Sequence, residues 1–153
     1  MLVYRIVNKK FAGDLSGIGA ALFGGRWNKK GAPVLYTGES KEIALLETIV
    51  NTPSNMVPEL EILHIEIPDY SIKIIQLDEL PLNWAEYPAP TILSEIAEKW
   101  ILSEEALAFR VPSCIIHSAN NYILNCRHPH YNLVKIQKKE PFLQSKRLFK
   151  NYF

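Results

Sequence analysis

The sequence predicts an α+β fold in one domain over residues 1–153, and three observations carry that expectation. Strand-like runs outnumber helical ones. The two kinds do not alternate as a doubly wound parallel sheet requires. A chain of 153 residues with 48% hydrophobic and 22% charged residues suits one domain that buries a proper core.

In chain order, residues 2–7 alternate as a strand and lack the long apolar stretch of a signal peptide. Residues 11–23 read as a loop or short helix, with turn signals at Gly13-Asp14 and Ser16-Gly17. Residues 34–37 form a short buried strand. Residues 40–51 read as a helix with Ser40 as N-cap, and Pro53 forbids its continuation. Residues 60–67 alternate and predict a half-buried strand, and residues 72–77 predict another. Residues 81–90 hold three prolines and Trp84 and predict an irregular loop. Residues 91–102 predict an amphipathic helix with Thr91 as cap and Ile92, Ile96 and Trp100 near one face. Residues 107–117 are strand-like up to a break, edge or bulge at Pro112. Residues 120–125 suggest a turn or short helix, and residues 132–137 a last strand.

Composition excludes several classes. A formal net charge of +1 gives no electrostatic reason to expect nucleic acid or a membrane surface. The basic cluster Lys146-Arg147 with Lys150 reads as a solvated face. No apolar run approaches the roughly 20 residues of a membrane span. Two cysteines make no disulfide framework, and Cys114 reads as a small buried hydrophobe. A reducing, cytoplasmic setting is expected.

The densest chemistry lies in Gly24-Gly25-Arg26-Trp27-Asn28, then Val34-Leu35-Tyr36-Thr37-Gly38, then Ala44-Leu45-Leu46-Glu47. Paired glycines let backbone approach a ligand, and a guanidinium holds phosphate oxygens in pairs. At about 100° per residue Glu47 falls between Ile43 and Ala44, close to Val50, on the apolar face. Such a carboxylate is costly unless bonded or paired, so it is either a functional acid or a structural glutamate tied to an arginine or to backbone donors. Ser113 follows Pro112 without a nucleophile elbow, so it is a positioning hydroxyl or a plain strand-end serine. Asn121 and Asn125 either tie a loop, the favoured reading, or touch a ligand. His64, His117, His128 and His130 lack metal-ligand company, and no metal is expected. Trp27, Trp84 and Trp100 could stack on a base or pyridine, although the helical spacing of Trp100 favours core packing.

Taken in order, these motifs resemble the RES domain family of bacterial toxin–antitoxin toxins, named for an arginine, a glutamate and a serine. The matching positions are Arg26 in Gly-Gly-Arg-Trp-Asn, Glu47 in Ala-Leu-Leu-Glu and Ser113 in Val-Pro-Ser. Tyr4-Arg5, Val34-Leu35-Tyr36-Thr37, Asn121-Tyr122-Ile123-Leu124-Asn125 and His128-Pro129 extend the match over nearly the whole chain. The resemblance implies an ADP-ribosyltransferase-like fold, with a pair of small β-sheets around an NAD cleft and flanking helices.

It also implies a toxin that depletes NAD by cleaving the nicotinamide–ribose bond, with NAD as substrate and no separate cofactor. Arg26, Glu47 and Ser113 would be catalytic. Arg5 and Arg26 would grip the pyrophosphate, while Tyr36, Trp27 and Asn121 would contact NAD. Ser113 would hold the nicotinamide amide or the ribose. The implied partner is an Xre-type helix-turn-helix antitoxin, and the chain is compatible with a homo-oligomer. Asn51 stands where many members have histidine, Cys126 where Asn-Pro is common, and the stretch 142–148 lacks the usual aspartate before Arg-Leu. A protein-modifying ADP-ribosyltransferase using residues 81–90 as a docking loop, or a non-catalytic nucleotide-binding module, is the alternative.

Overall fold

Seven strands hydrogen-bond into one mixed sheet in the computed structural model, which describes residues 1–53 and 58–148. Lys150 of the basic cluster lies outside the described residues. The strands are β1 (Leu2–Asn8), β2 (Val34–Gly38), β3 (Leu60–Glu66), β4 (Ile72–Ile74), β5 (Ala108–Pro112), β6 (Asn120–Asn125) and β7 (Lys135–Pro141). Among the described residues three α-helices complete the fold: α1 (Ile18–Phe23), α2 (Lys41–Asn51) and α3 (Thr91–Ser103). The sheet order is β4-β5-β6-β2-β1-β3-β7. Only β4 and β5 run parallel; the other pairs are antiparallel.

The seam between β1 and β2 is the architectural feature that matters most. β1 pairs with β3 along its whole length, from Leu2↔Glu66 to Asn8↔Leu60. It meets β2 only at Tyr4↔Gly38. The sheet is therefore a four-strand half and a three-strand half joined at one point, which is how the expected pair of small sheets is realised. Alternation then places side chains on two faces. On one face, α2 covers Ile6, Leu60 and Ile62 of the smaller half through Ala44. Leu93, Ala97, Trp100 and Ile101 of α3 share a core with Phe109, Val111 and Ile123 of the larger half. The opposite face is one core that crosses the seam, joining Val3, Leu63 and Ile65 to Leu35, Ala108 and Leu124.

Several elements differ from expectation. Residues 120–125 are a strand rather than a turn or short helix. Tyr122 and Leu124 fill one core and Ile123 the other, and that burial on both faces outweighs the turn tendency of the flanking asparagines. β3 is likewise buried on both faces, with Leu60 and Ile62 in one core and Leu63 and Ile65 in another. The last strand starts later, because residues 131–133 form a tight helical turn anchored by the Tyr131 hydroxyl on the Leu15 carbonyl at 2.6 Å. Ser40 caps α2 as predicted, its hydroxyl accepting from Ile43 N at 3.2 Å. Thr91 does not cap α3; Pro90 precedes the first turn, and Thr91 lies inside it. The buried stripe of α3 begins at Leu93, leaving Ile92 exposed.

Candidate active site

The turn carrying the two glycines is built around Asn28. Its side-chain amide donates to the Ala20, Lys29 and Ala32 carbonyls at 2.8, 3.2 and 3.1 Å. Its Oδ1 accepts the Tyr36 hydroxyl at 2.6 Å, and that hydroxyl accepts the Trp27 backbone N–H at 3.0 Å. Burial pushes the Tyr36 phenol well above its ordinary pKa, so it stays a neutral donor. Gly25 is required by close approach, since a Cβ there would lie 2.6 Å from the Tyr36 hydroxyl and 3.0 Å from Asn28 Oδ1.

Arg26 leaves this turn and reaches a segment about sixty residues away in sequence. Its guanidinium donates to the Trp84 carbonyl at 2.7 Å and the Glu86 carbonyl at 3.0 Å. The fork expected to hold phosphate oxygens thus holds the backbone of the 81–90 loop, while Arg26 still lines a cavity. Trp84 anchors the same loop in the core, its ring 4.9 Å from His117.

Two cavities meet at this place. One, of about 410 Å³, opens over the seam and is lined by Tyr4, Arg5, Thr37 and Thr48 among others. The second, of about 570 Å³, is lined by Arg26, Trp27, Val50, Ala85, Tyr87 and Cys114 among others. Tyr36, Glu47, Asn51 and Asn121 line both. The cavities are two lobes of one cleft with Glu47 on the divide.

Glu47 points from α2 toward the ends of β5 and β6. Its Oε1 accepts from Asn121 Nδ2 at 2.7 Å and from the Ser113 hydroxyl at 3.2 Å. Among the described residues no cation pairs with Glu47 and no protein donor bonds Oε2. The structural ion-pair reading therefore has no partner here. Asn51, one turn along α2, donates to the Glu47 backbone carbonyl at 2.8 Å. Arg5 sits in the seam, its Nη1 donating to the Tyr36 carbonyl at 3.0 Å. Its buried Nε has no protein partner among the described residues, and burial pulls the guanidinium below its ordinary pKa.

The structure thus brings Arg5, Arg26, Tyr36, Glu47 and Asn121 to one cleft, with Ser113 buried behind Glu47, and it places several individual side chains differently from expectation. Ser113, expected to hold the nicotinamide amide or the ribose, is fully buried, with its hydroxyl turned to Glu47 Oε1. Asn121 reaches Glu47 instead of tying a loop. Trp27 is no stacking platform: its ring is buried edge-on to Phe109 at 5.7 Å, because the turn directs it inward. Trp84 and Trp100 are also core residues, Trp100 stacking on Phe109 at 5.0 Å. Val50 is exposed at the rim of the second lobe rather than on the buried face of α2. His128 is spent on backbone, with Nε2 3.0 Å from the Glu104 carbonyl and Nδ1 accepting from His130 N at 3.1 Å. No group of histidine, cysteine or carboxylate side chains suited to a metal occurs among the described residues.

Two residues carry roles the sequence reading did not assign. Asn28 organises the glycine turn, and nothing local marks it as buried. Asn51 follows Glu47 by four positions, and that helical spacing was available as a signal.

The RES domain profile matches residues 2–145. The chain is 39% identical over 133 residues to Toxin Res of Yersinia enterocolitica, covering 86% of this chain and 88% of that one. It is 34% identical over 141 residues to Toxin Res of Photorhabdus laumondii, covering 88% and 90%. It is 32% identical over 143 residues to the Prs ADP-ribosylating toxin of Sphingobium, covering 91% and 89%. A chain from the crystal structure of the M. tuberculosis MbcT–MbcA toxin–antitoxin complex superposes with a TM-score of 0.79 at 14% identity, covering 97% of this chain and 86% of that one. That last likeness is one of fold.

Proposed function

The chain belongs to the RES domain family, and on that footing we propose that it is the toxin of a toxin–antitoxin pair. Its proposed substrate is NAD, cleaved at the nicotinamide–ribose bond in the cytoplasm and held in check by an Xre-type antitoxin. The observation that carries the proposal is Glu47, unpaired with any cation among the described residues, on the divide between two lobes. A bent dinucleotide would place its two halves on either side of such a carboxylate.

The chemistry follows from the bond that breaks. The electron pair of the ribosyl C–N bond leaves with nicotinamide, whose pyridinium ring becomes neutral. Positive charge then develops on the ribose anomeric carbon and ring oxygen. A fixed carboxylate beside that carbon stabilises the charge where water is excluded. Water or phosphate supplies the new bond to carbon, and attacking water loses a proton. Arg5 lies in the first lobe and Arg26 in the second, so a cation is available to phosphate oxygens in either. The Arg26 fork would exchange a loop carbonyl for a phosphate oxygen.

The relative named as an ADP-ribosylating toxin supports a second reading, in which a protein side chain accepts the ADP-ribose. Tyr87 is almost fully exposed on the loop that walls the second lobe and would form part of a docking surface. One experiment separates the readings: purified protein is incubated with NAD labelled in the adenosine half, and free nicotinamide is followed. Release without added protein supports hydrolysis, and acceleration by phosphate supports phosphorolysis. Label on an added protein supports transfer. A folded protein that releases no nicotinamide under any condition removes NAD cleavage and leaves the non-catalytic binding module.

A further inference from the structure

We infer that Glu47 works through a single oxygen, Oε2, and that Ser113 is the positioning residue that fixes this division. The inference rests on the reading of Glu47 as the group facing the ribosyl cation.

A serine hydroxyl has one proton and two lone pairs. Ser113 Oγ accepts the Ile115 N–H at 3.1 Å and the Ile116 N–H at 3.3 Å. With both lone pairs taken, its proton is left to donate, and Glu47 Oε1 lies 3.2 Å away. The turn after β5 therefore sets the polarity of the hydroxyl. Asn121 Nδ2 donates to the same oxygen at 2.7 Å. The opposite amide orientation would set Oδ1 against a carboxylate, so the direction of this bond is settled by charge.

Oε1 is thus held by two donors, one from the turn after β5 and one from β6, while Oε2 takes no protein donor among the described residues. Two anchors on one oxygen fix both the position and the rotation of the carboxylate. Oε2 is the atom left to meet developing positive charge or to accept a ribose hydroxyl. Ser113 is fully buried and never touches substrate; its influence passes through the carboxylate.

Two measurements on the same proteins test this. The infrared difference spectrum between wild type and Glu47→Gln isolates the Glu47 carboxylate bands. Both donors on one oxygen make its two C–O bonds unequal, which widens the separation between antisymmetric and symmetric stretches. In the Ser113→Ala background, read against Ser113→Ala/Glu47→Gln, that separation should narrow. In parallel, Ser113→Ala should lower kcat for nicotinamide release on the order of tenfold with KM little changed. The loss should largely vanish when Glu47 is already glutamine, as expected for groups acting as one network.

An unchanged infrared separation overturns the inference, and so does a full Ser113→Ala loss repeated in the Glu47→Gln background. If wild type releases no nicotinamide while the separation still narrows, the NAD reading falls and the positioning role stands. Should Ser113→Ala prove too unstable, Ser113→Cys keeps most of the volume with a weak donor and carries the same two measurements.

Discussion

At the scale of single residues, the proposed activity turns on one carboxylate. Glu47 is held by neutral donors, so removing its charge strands no buried cation. Glu47→Gln should therefore fold with a melting temperature close to wild type and still bind NAD. Its turnover should fall by about 10²-fold or more, the scale of losing one preorganised electrostatic group. Melting curves, NAD titration and nicotinamide release on that variant decide the matter. A well-folded Glu47→Gln protein with wild-type turnover would remove the residue from the catalytic set. Tyr36 illustrates the opposite case: its hydroxyl is committed to Asn28 and Trp27, so it shapes the cleft wall and has no proton to lend.

At the scale of elements, two ties decide how the cleft walls are held. The first is Arg26 on the 81–90 loop. A planar guanidinium spans the Trp84 and Glu86 carbonyls, and a lysine ammonium cannot reproduce that fork. Arg26→Lys should speed hydrogen exchange at the Trp84 and Glu86 amides, which close turns onto Pro81 and Asn83 at 3.0 and 3.1 Å. It should also depress turnover. Exchange at the wild-type rate would mean that Trp84 alone holds the loop.

The second tie joins α2 to β7. Glu140 receives Lys41 at 2.5 Å and Lys138 at 2.9 Å, with His64 Nε2 at 3.1 Å. Its hydrogen bonds to Lys41, then to Lys138 and His64, pull its pKa from an ordinary 4.5 down to about 2. The fold favours the ionised form, so this contribution is whole above about pH 4.5 and is lost as pH falls toward about 2. Glu140→Gln should remove that part of the acid sensitivity, seen as a flatter urea midpoint against pH across the same window. A slope equal to wild type there would show that solvent already screens the pair.

At the scale of the whole molecule, the cleft exists because the sheet is nearly cut in two. β1 and β2 share one residue pair, and the guanidinium of Arg5 bridges the gap to the Tyr36 carbonyl. The core on the opposite face crosses the seam and keeps the halves together while the cleft side parts. Arg5→Met should keep the fold but cost about 1–3 kcal/mol, the scale of leaving a buried carbonyl without its donor. Chemical denaturation would measure it, and a loss near zero would mean that water satisfies Tyr36 O equally well.

The sequence by itself determined the local facts. The Ser40 cap, the helix carrying Glu47, the strand of Tyr36 and the irregular loop at 81–90 follow from caps, periodicity and proline, which act over a few residues. The ordered motifs sufficed for the family as well. What tertiary structure alone decided is which partner each polar atom takes. Arg26 spends its fork on carbonyls about sixty positions away, Asn121 crosses from β6 to α2, and residues 120–125 become a strand because two cores compete to bury them. Trp27 turns inward for the same reason. Hydrogen-bond valence and burial are satisfied over the whole chain at once, so a window of neighbouring residues contains the donors but not the acceptors they meet.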